Sequence, residues 1–375
     1  MHKIILHKKQ WGFILIIWLT VQAFYLYTTG IVITGESEKY INLSAQLAAG
    51  DWKMQPNFYL YAGYILIHLT IKIIGLSYKW MYLVQLAVAA IAFICFIKIL
   101  TISVTNRATV VTTAVLFAIC PFFQSWNCFL YTDSMFASLI IISIYCLLVS
   151  SSPAGNHKKV LVFLLLAVPF FRPIGLLFIP VAIFFWVTHA LKKHFSHILF
   201  FSGYFVLLLL FSWYCLNHSN DFFYPNHNSE ANIICGYPSD LTKYIKYPYE
   251  PDKTMFHFFI ANPEMSARLL MHRLYKSFWM TRPYFSTLHN TFIILFLIPC
   301  YTLALIGTGV ILRSRSLKNV YILFGLSIFI LPMLAFCADW SNRFMLPPLV
   351  FIFILMATGL EAILKKMAVP KHYGS

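Results

Sequence analysis

Apolar stretches of roughly 20 residues recur along this chain, separated by short gaps that carry Lys and Arg, often in pairs. A helix of that length crosses the hydrocarbon core of a bilayer, and basic flanks of that kind orient such helices. Of the 375 residues, 60% are hydrophobic and only 11% charged, whereas soluble domains carry about 25% charged residues. A soluble globule and a disordered chain are both excluded. The eight cysteines show no CxxC or Cys/His spacing, so neither a zinc site nor a disulfide framework is expected. The net charge of +16 comes from basic runs beside apolar segments, which is the signature of membrane topology; no nucleic-acid partner is expected. The expected fold class is all-α, a polytopic transmembrane helical bundle forming a single domain over 1–375 and solvated by membrane lipids.

About ten spans are expected, at 11–33, 80–103, 108–126, 132–150, 160–171, 174–190, 197–216, 291–312, 318–337 and 344–364. The stretch 57–76 is apolar but holds Tyr59, Tyr61, Tyr64, His68 and Lys72, so it reads as a juxtamembrane helix at the interface. With the N-terminus in the cytoplasm, the Lys8-Lys9, Lys158-Lys159, Lys192-Lys193 and Lys365-Lys366 pairs all fall inside, together with the C-terminus. Of the twelve acidic residues, only Glu361 falls on that side. The expected location is a plasma (inner) membrane. Two longer outer loops remain, 34–79 and 217–290, and the second contains a basic amphipathic helix at 263–281 with Arg268, His272 and Lys276 on one face.

Polar groups that carry chemistry gather on the outer side. Glu36 and Glu38 follow the first span; they suit proton abstraction from an acceptor hydroxyl or binding of a divalent cation, or simply occupy a first helical turn favoured by the helix dipole. On a helix these two acids lie about 200° apart, so only one faces a common cavity. Glu36 is expected to face inward and Glu38 to be solvated. Asp133, in Tyr131-Thr132-Asp133, begins the 132–150 span as a site acid or a helix cap. Arg172 lies in a hairpin too short for two full crossings, which places it near or below the outer interface, bound to an anion or snorkelling to headgroups. Arg282 ends the amphipathic helix and Arg343 opens the last span, near Asp339. Guanidinium groups suit phosphate oxygens, so acids and arginines on one face point to a phosphate-bearing lipid substrate. His289 and Tyr40 lie on the same side. No Gly-rich phosphate loop and no DxD motif occurs.

These motifs, in this order, resemble the integral-membrane GT-C glycosyltransferases, in particular the branch with protein O-mannosyltransferases and bacterial aminoarabinose transferases of lipid A. Glu36-x-x-x-Tyr40 followed by Gly50-Asp51-Trp52 is similar to that family's first outer loop, with Glu where Asp is usual, and Phe58 to Gly75 to its juxtamembrane helix. Tyr131-Thr132-Asp133 resembles the second acidic motif, Arg172-Pro173-Ile174-Gly175 the polar break between short spans, and Arg343-Phe344-Met345-Leu346-Pro347 the start of a late span. The resemblance implies inverting transfer of a sugar from a polyprenyl-phosphate donor to a hydroxyl of a lipid, glycan or protein acceptor. Glu36 and Asp133 would be the catalytic acids, Arg172, Arg343 and Arg282 would hold the donor phosphate, and Glu38, Tyr40, Tyr131 and His289 would be secondary. Apart from a candidate divalent cation, no cofactor is implied. The rival readings are a lipid or solute transporter, and a polymerase or ligase of surface glycans.

Overall fold

The computed structural model describes residues 4–150, 157–217, 239–248, 255–314, 319–335 and 340–368. Most of these residues are helical, with short 3-10 turns and a single isolated backbone bridge, Val32 to Phe129. The helices are α1 (Lys8–Thr29), α2 (Gly35–Ala48), α3 (Ala62–Ile73), α4 (Trp80–Ser103), α5 (Arg107–Ala118), α6 (Pro121–Gln124), α7 (Thr132–Val149) and α8 (His157–Ala167). After them come α9 (Phe178–Asn217), α10 (Met255–Ala261), α11 (Pro263–Trp279), α12 (Thr287–Arg313), α13 (Val320–Ala335) and α14 (Leu346–Ala368). Among the described residues, six helices are long and apolar enough to cross a membrane. The protein is therefore a multi-pass, all-α membrane protein. Its outward surface is apolar, as lipid requires: Leu199, Leu207 and Leu210 on α9 and Leu295, Leu305 and Leu312 on α12 are all exposed.

Several expected spans take a different form. The stretch 108–126 is not one rod; α5 and the Pro121–Cys128 segment meet at 53°. Pro121 explains the break, because it lacks the N–H that would reach the carbonyl of Phe117 and pushes Cys120 out of helical geometry. The Gln124 side chain supplies the missing donor, its Nε2 lying 2.9 Å from the Phe117 oxygen. Gln124 Oε1 in turn accepts from Trp18 Nε1 (3.0 Å) and Gln22 Nε2 (2.7 Å), and Asn127 Nδ2 donates to Gln22 Oε1 at 2.9 Å. One proline thus leaves a polar chain that ties α1 to the bent helix in the apolar interior.

The stretches 174–190 and 197–216 are joined in one helical segment of 40 residues, α9, where a loop was expected. Yet the rings of Trp186 and Phe201 lie 5.7 Å apart, and Trp186 also stacks on His194. In a straight helix those positions would be separated by about 22 Å along the axis. The axis must therefore bend back sharply between them, so the two arms still lie side by side. The expected spans 160–171 and 318–337 correspond to shorter apolar helices, α8 and α13. At 57–76 the chain forms a 3-10 turn, Pro56–Tyr61, and the 12-residue α3. That helix is about 18 Å long, well short of a bilayer core of about 30 Å.

Helices α7 and α14 are the most enclosed and form the centre, while α1 and the second arm of α9 lie outside. The α12–α14 crossing is close because it is built on Gly307 and Gly359. A Cβ at Gly307 would collide with the carbonyl of Leu355, and one at Gly359 with that of Leu303. Small residues let membrane helices approach to backbone contact in this way. Gly307→Val or Gly359→Val is expected to lower thermal stability in detergent by about 1–3 kcal/mol, since a backbone carbonyl cannot rotate aside. Gly309→Ala meets open space and should leave the melting curve in place. Equal melting of all three variants would count against this packing.

Candidate active site

The site is assembled where the N-termini of α2 and α7 dock together. Val32 donates its backbone N–H to the Cys128 oxygen at 2.8 Å and accepts from Leu130 at 3.2 Å. This bridge aligns the two strand-like entries, and the hydroxyls of Thr34 and Tyr131 bond across it. Thr34 caps α2 by exchange with Ser37, whose Oγ lies 2.9 Å from both the Thr34 N–H and its carbonyl. The cap fixes the helical phase: Ser37 and Tyr40 are buried, Glu36 is half-buried, and Glu38 is exposed. Both acids occupy the first turn, where the dipole favours them, but only Glu36 turns toward the bundle.

Glu36 forms an ion pair with Arg343, and Asp133 forms one with Arg172. The two pairs differ in solvation. The Asp133 side chain is 0% exposed and that of Arg172 7%, while Glu36 is 30% and Arg343 21% exposed. Asp133 does not cap α7; that position belongs to Tyr131, and the acid points to Arg172 from the first turn. Arg172 is held between the 3-10 turns Val168–Phe170 and Pro173–Leu177. There Gly175 packs so tightly on Val168 that a Cβ would lie 2.8 Å from its oxygen. The ring of Phe344 joins the pairs, with the Arg172 guanidinium 4.9 Å and the Arg343 guanidinium 5.4 Å from its centroid. Two acids and two arginines from four separated parts of the sequence thus converge at one end of the bundle.

Tyrosines line the other side of this cluster. Tyr40 donates to Glu36 Oε1 at 3.4 Å, and its ring contacts those of Tyr61 (5.7 Å) and Tyr64 (5.2 Å). Burial pushes the phenols of Tyr40 and Tyr61 above their ordinary range, so both remain protonated donors at neutral pH. Tyr61 lies within the field of Arg172, Glu36 and Arg343 together, which makes it a site residue, although its stretch of sequence reads as interfacial. The signal was the density of tyrosines at 59–64; the partner charges were far away in sequence.

The other candidates take separate places. Arg282 donates through Nη1 to the carbonyls of Thr281 (2.9 Å) and Lys276 (3.3 Å), closing the C-terminus of α11. His289 stacks on Phe285 at 4.4 Å and, with Tyr25, Trp126, Phe129 and Asn342, borders a cleft of about 240 Å³ beside the charge cluster. Asp51 closes the end of α2, accepting from Gln46 Nε2 at 2.8 Å and from the Lys53 N–H at 3.1 Å, which holds its carboxyl below the ordinary range. Asp339 lies outside the described residues, as do residues 218–238 of the second outer loop. Among the described residues no three His, Cys, Asp or Glu side chains converge in a metal-binding group.

The fold and this cluster define a class: a multi-pass helical membrane protein with paired acids and arginines gathered at one end. No protein family matches the chain, and no curated protein or solved structure is detectably similar to it.

Proposed function

We propose that the protein is a GT-C-like glycosyltransferase that moves a sugar, with inversion, from a polyprenyl-phosphate donor to an acceptor hydroxyl. The observation that carries this reading is the convergence of Glu36–Arg343 and Asp133–Arg172 about Phe344 at one end of an apolar bundle. A polyprenyl tail is at home in lipid, and its phosphate needs cationic donors at the edge of the bundle. Arg343 and Arg172 suit that role, because a planar guanidinium is chemically able to bridge a carboxylate and a phosphate.

In the proposed reaction the acceptor oxygen attacks the sugar C1 opposite the phosphate, and its proton passes to a Glu36 carboxylate oxygen. The bond between C1 and the phosphate oxygen breaks, and polyprenyl phosphate leaves with the electron pair, its charge met by Arg343 and Arg172. Glu36 suits the base because it is the more solvated acid. Asp133 has no exposed surface, so its part is to hold Arg172 in place. Ten membrane passages, with both termini in the cytoplasm and the cluster on the outer face of the plasma membrane, fit the Lys pairs and the side on which α2 emerges.

The test is incubation of the purified full-length protein with polyprenyl phosphates carrying radiolabelled hexoses. Transfer of label to a hydroxyl acceptor or to water supports the reading. Intact donor lipid crossing a vesicle bilayer with no sugar release would mark a flippase and overturn it. A lone cysteine at Lys39 should also label from outside intact cells with an impermeant maleimide; labelling only after lysis reverses the orientation.

A further inference from the structure

Helix α11 carries an apolar surface that the bundle does not use. Its side toward the protein is formed by Met265, Ser266, Leu269 and Arg273, all buried. Leu270, Met271, Tyr275 and Trp279 are exposed instead, and the rings of the last two stack at 5.7 Å. A contiguous exposed apolar patch marks a surface that something else covers. The polarity of this helix is also graded along its axis. In its first turns Glu264 pairs with Arg268 at 3.1 Å, and the Arg268 guanidinium lies 4.1 Å from the Tyr244 ring centroid. There Met265 and Leu269 are covered by Leu241 and Phe258. From Leu270 onward the exposed side chains are the apolar and aromatic ones, while Lys276 is half-buried. Its stem is long enough to lift the charge toward water.

Two hydrogen bonds fix the depth of the apolar end. The Tyr301 hydroxyl of α12 donates to the Phe278 carbonyl at 2.8 Å. Arg273 Nη1 donates to the carbonyl of Leu334, in the last turn of α13, also at 2.8 Å. Helix α12 is about 40 Å long, so it exceeds a bilayer core of about 30 Å by about 10 Å. Tyr301 lies about 21 Å along it from Thr287 and about 18 Å from Arg313. Even with the whole excess placed at the Thr287 end, Tyr301 falls about 11 Å inside the hydrocarbon. The last turns of α11 are therefore level with lipid chains. Met280, next in the chain, accepts from Asn342 Nδ2 at 2.7 Å, and Arg343 follows Asn342. This end of the helix stands beside the charge cluster.

We propose that the C-terminal half of α11, Leu270 to Trp279, is inserted in the bilayer leaflet bordering the charge cluster, where its partner is the acyl chains of membrane lipid. The Glu264–Arg268 pair stays at the headgroup level, so the helix slopes into the leaflet instead of crossing it. Lipid packed along this face is thereby brought to the edge of the charge cluster. The test uses the full-length protein in phosphatidylcholine liposomes, with p-benzoylphenylalanine placed singly at Glu264, Met271, Tyr275 or Leu295. The last is an exposed apolar position on α12 and sets the yield expected for lipid contact. After irradiation, mass spectrometry of the peptides reads the lipid adducts. Met271 and Tyr275 should give adducts at a yield close to that of Leu295 and several times that of Glu264. All four probes replace exposed side chains, so the fold should hold. Yields at Met271 and Tyr275 no higher than at Glu264 would overturn the proposal, because the helix would then lie in water throughout or flat in lipid. A cross-link from Met271 or Tyr275 to a second copy would also overturn it, by making this face a protein interface. Neither donor nor turnover enters the measurement, so its outcome is independent of the transferase reading.

Discussion

Glu36→Gln should abolish sugar transfer in the purified protein, while Glu38→Gln keeps most of it. The two acids stand two residues apart in the first turn of α2, yet the Thr34–Ser37 cap turns one to Arg343 and the other to solvent. Gln at 36 retains the shape and can still accept from Tyr40, but it cannot take a proton from an acceptor hydroxyl. A positioned general base contributes about 10²–10⁴-fold, so the loss in kcat should lie in that range. Folding should survive, since the acid is partly solvated and the ion pair it loses is not a buried one. The measurement is turnover with radiolabelled polyprenyl-phosphate hexose, alongside thermal unfolding and donor binding. Normal turnover in Glu36→Gln with loss in Glu38→Gln would place the base half a helical turn away. If both variants turn over normally, no carboxylate of this helix is the base. Arg343→Lys should also slow turnover, because an ammonium cannot hold a carboxylate and a phosphate in one plane.

How far the sequence reveals this site depends on the distance over which each feature is encoded. Local features are legible. The spans at 80–103 and 132–150 coincide with α4 and α7 within a residue, because 20-residue apolar runs are set by bilayer thickness alone. The inward turn of Glu36 follows from helical phase next to a Thr/Ser cap. The pairings are not legible. Glu36 and Arg343 are 307 residues apart, and neither periodicity nor charge sign tells which acid meets which arginine. Asp133 reads as a cap from its place at the start of α7, and only tertiary packing turns it to Arg172. The break at Pro121 was written in the chain, but a proline inside an apolar run can kink a span or end it, and Gln124 decides which by replacing the lost donor. Tyr61 became part of the site only because α3 packs against the Arg172 turn, where the Phe171 ring lies within 3 Å of a Cβ built on Gly63.

The buried pair should respond to mutation in the opposite sense, through stability before chemistry. Arg172→Met leaves Asp133, with no exposed surface, as an uncompensated charge inside the bundle. Removing one partner of a buried pair costs about 3–5 kcal/mol, because the remaining ion keeps its desolvation penalty and loses its attraction. The single variant should therefore melt well below the native protein in detergent and express poorly. Replacing both partners, Asp133→Leu with Arg172→Met, removes the charge together with its counter-ion, and apolar replacements of a buried pair are often neutral or stabilising. The double variant should recover most of the lost thermal stability. It should not recover transfer, because the guanidinium proposed to meet the leaving phosphate is gone. A double variant as unstable as the single would show that the pair is not the source of the loss, and the Gly175–Val168 turn would then be the element to examine. A stable double variant with native turnover would remove Arg172 from the chemistry and leave Arg343 as the sole proposed phosphate donor. The two outcomes separate a charge pair that organises the fold from one that also serves the reaction, a distinction that the solvated Glu36–Arg343 pair cannot supply.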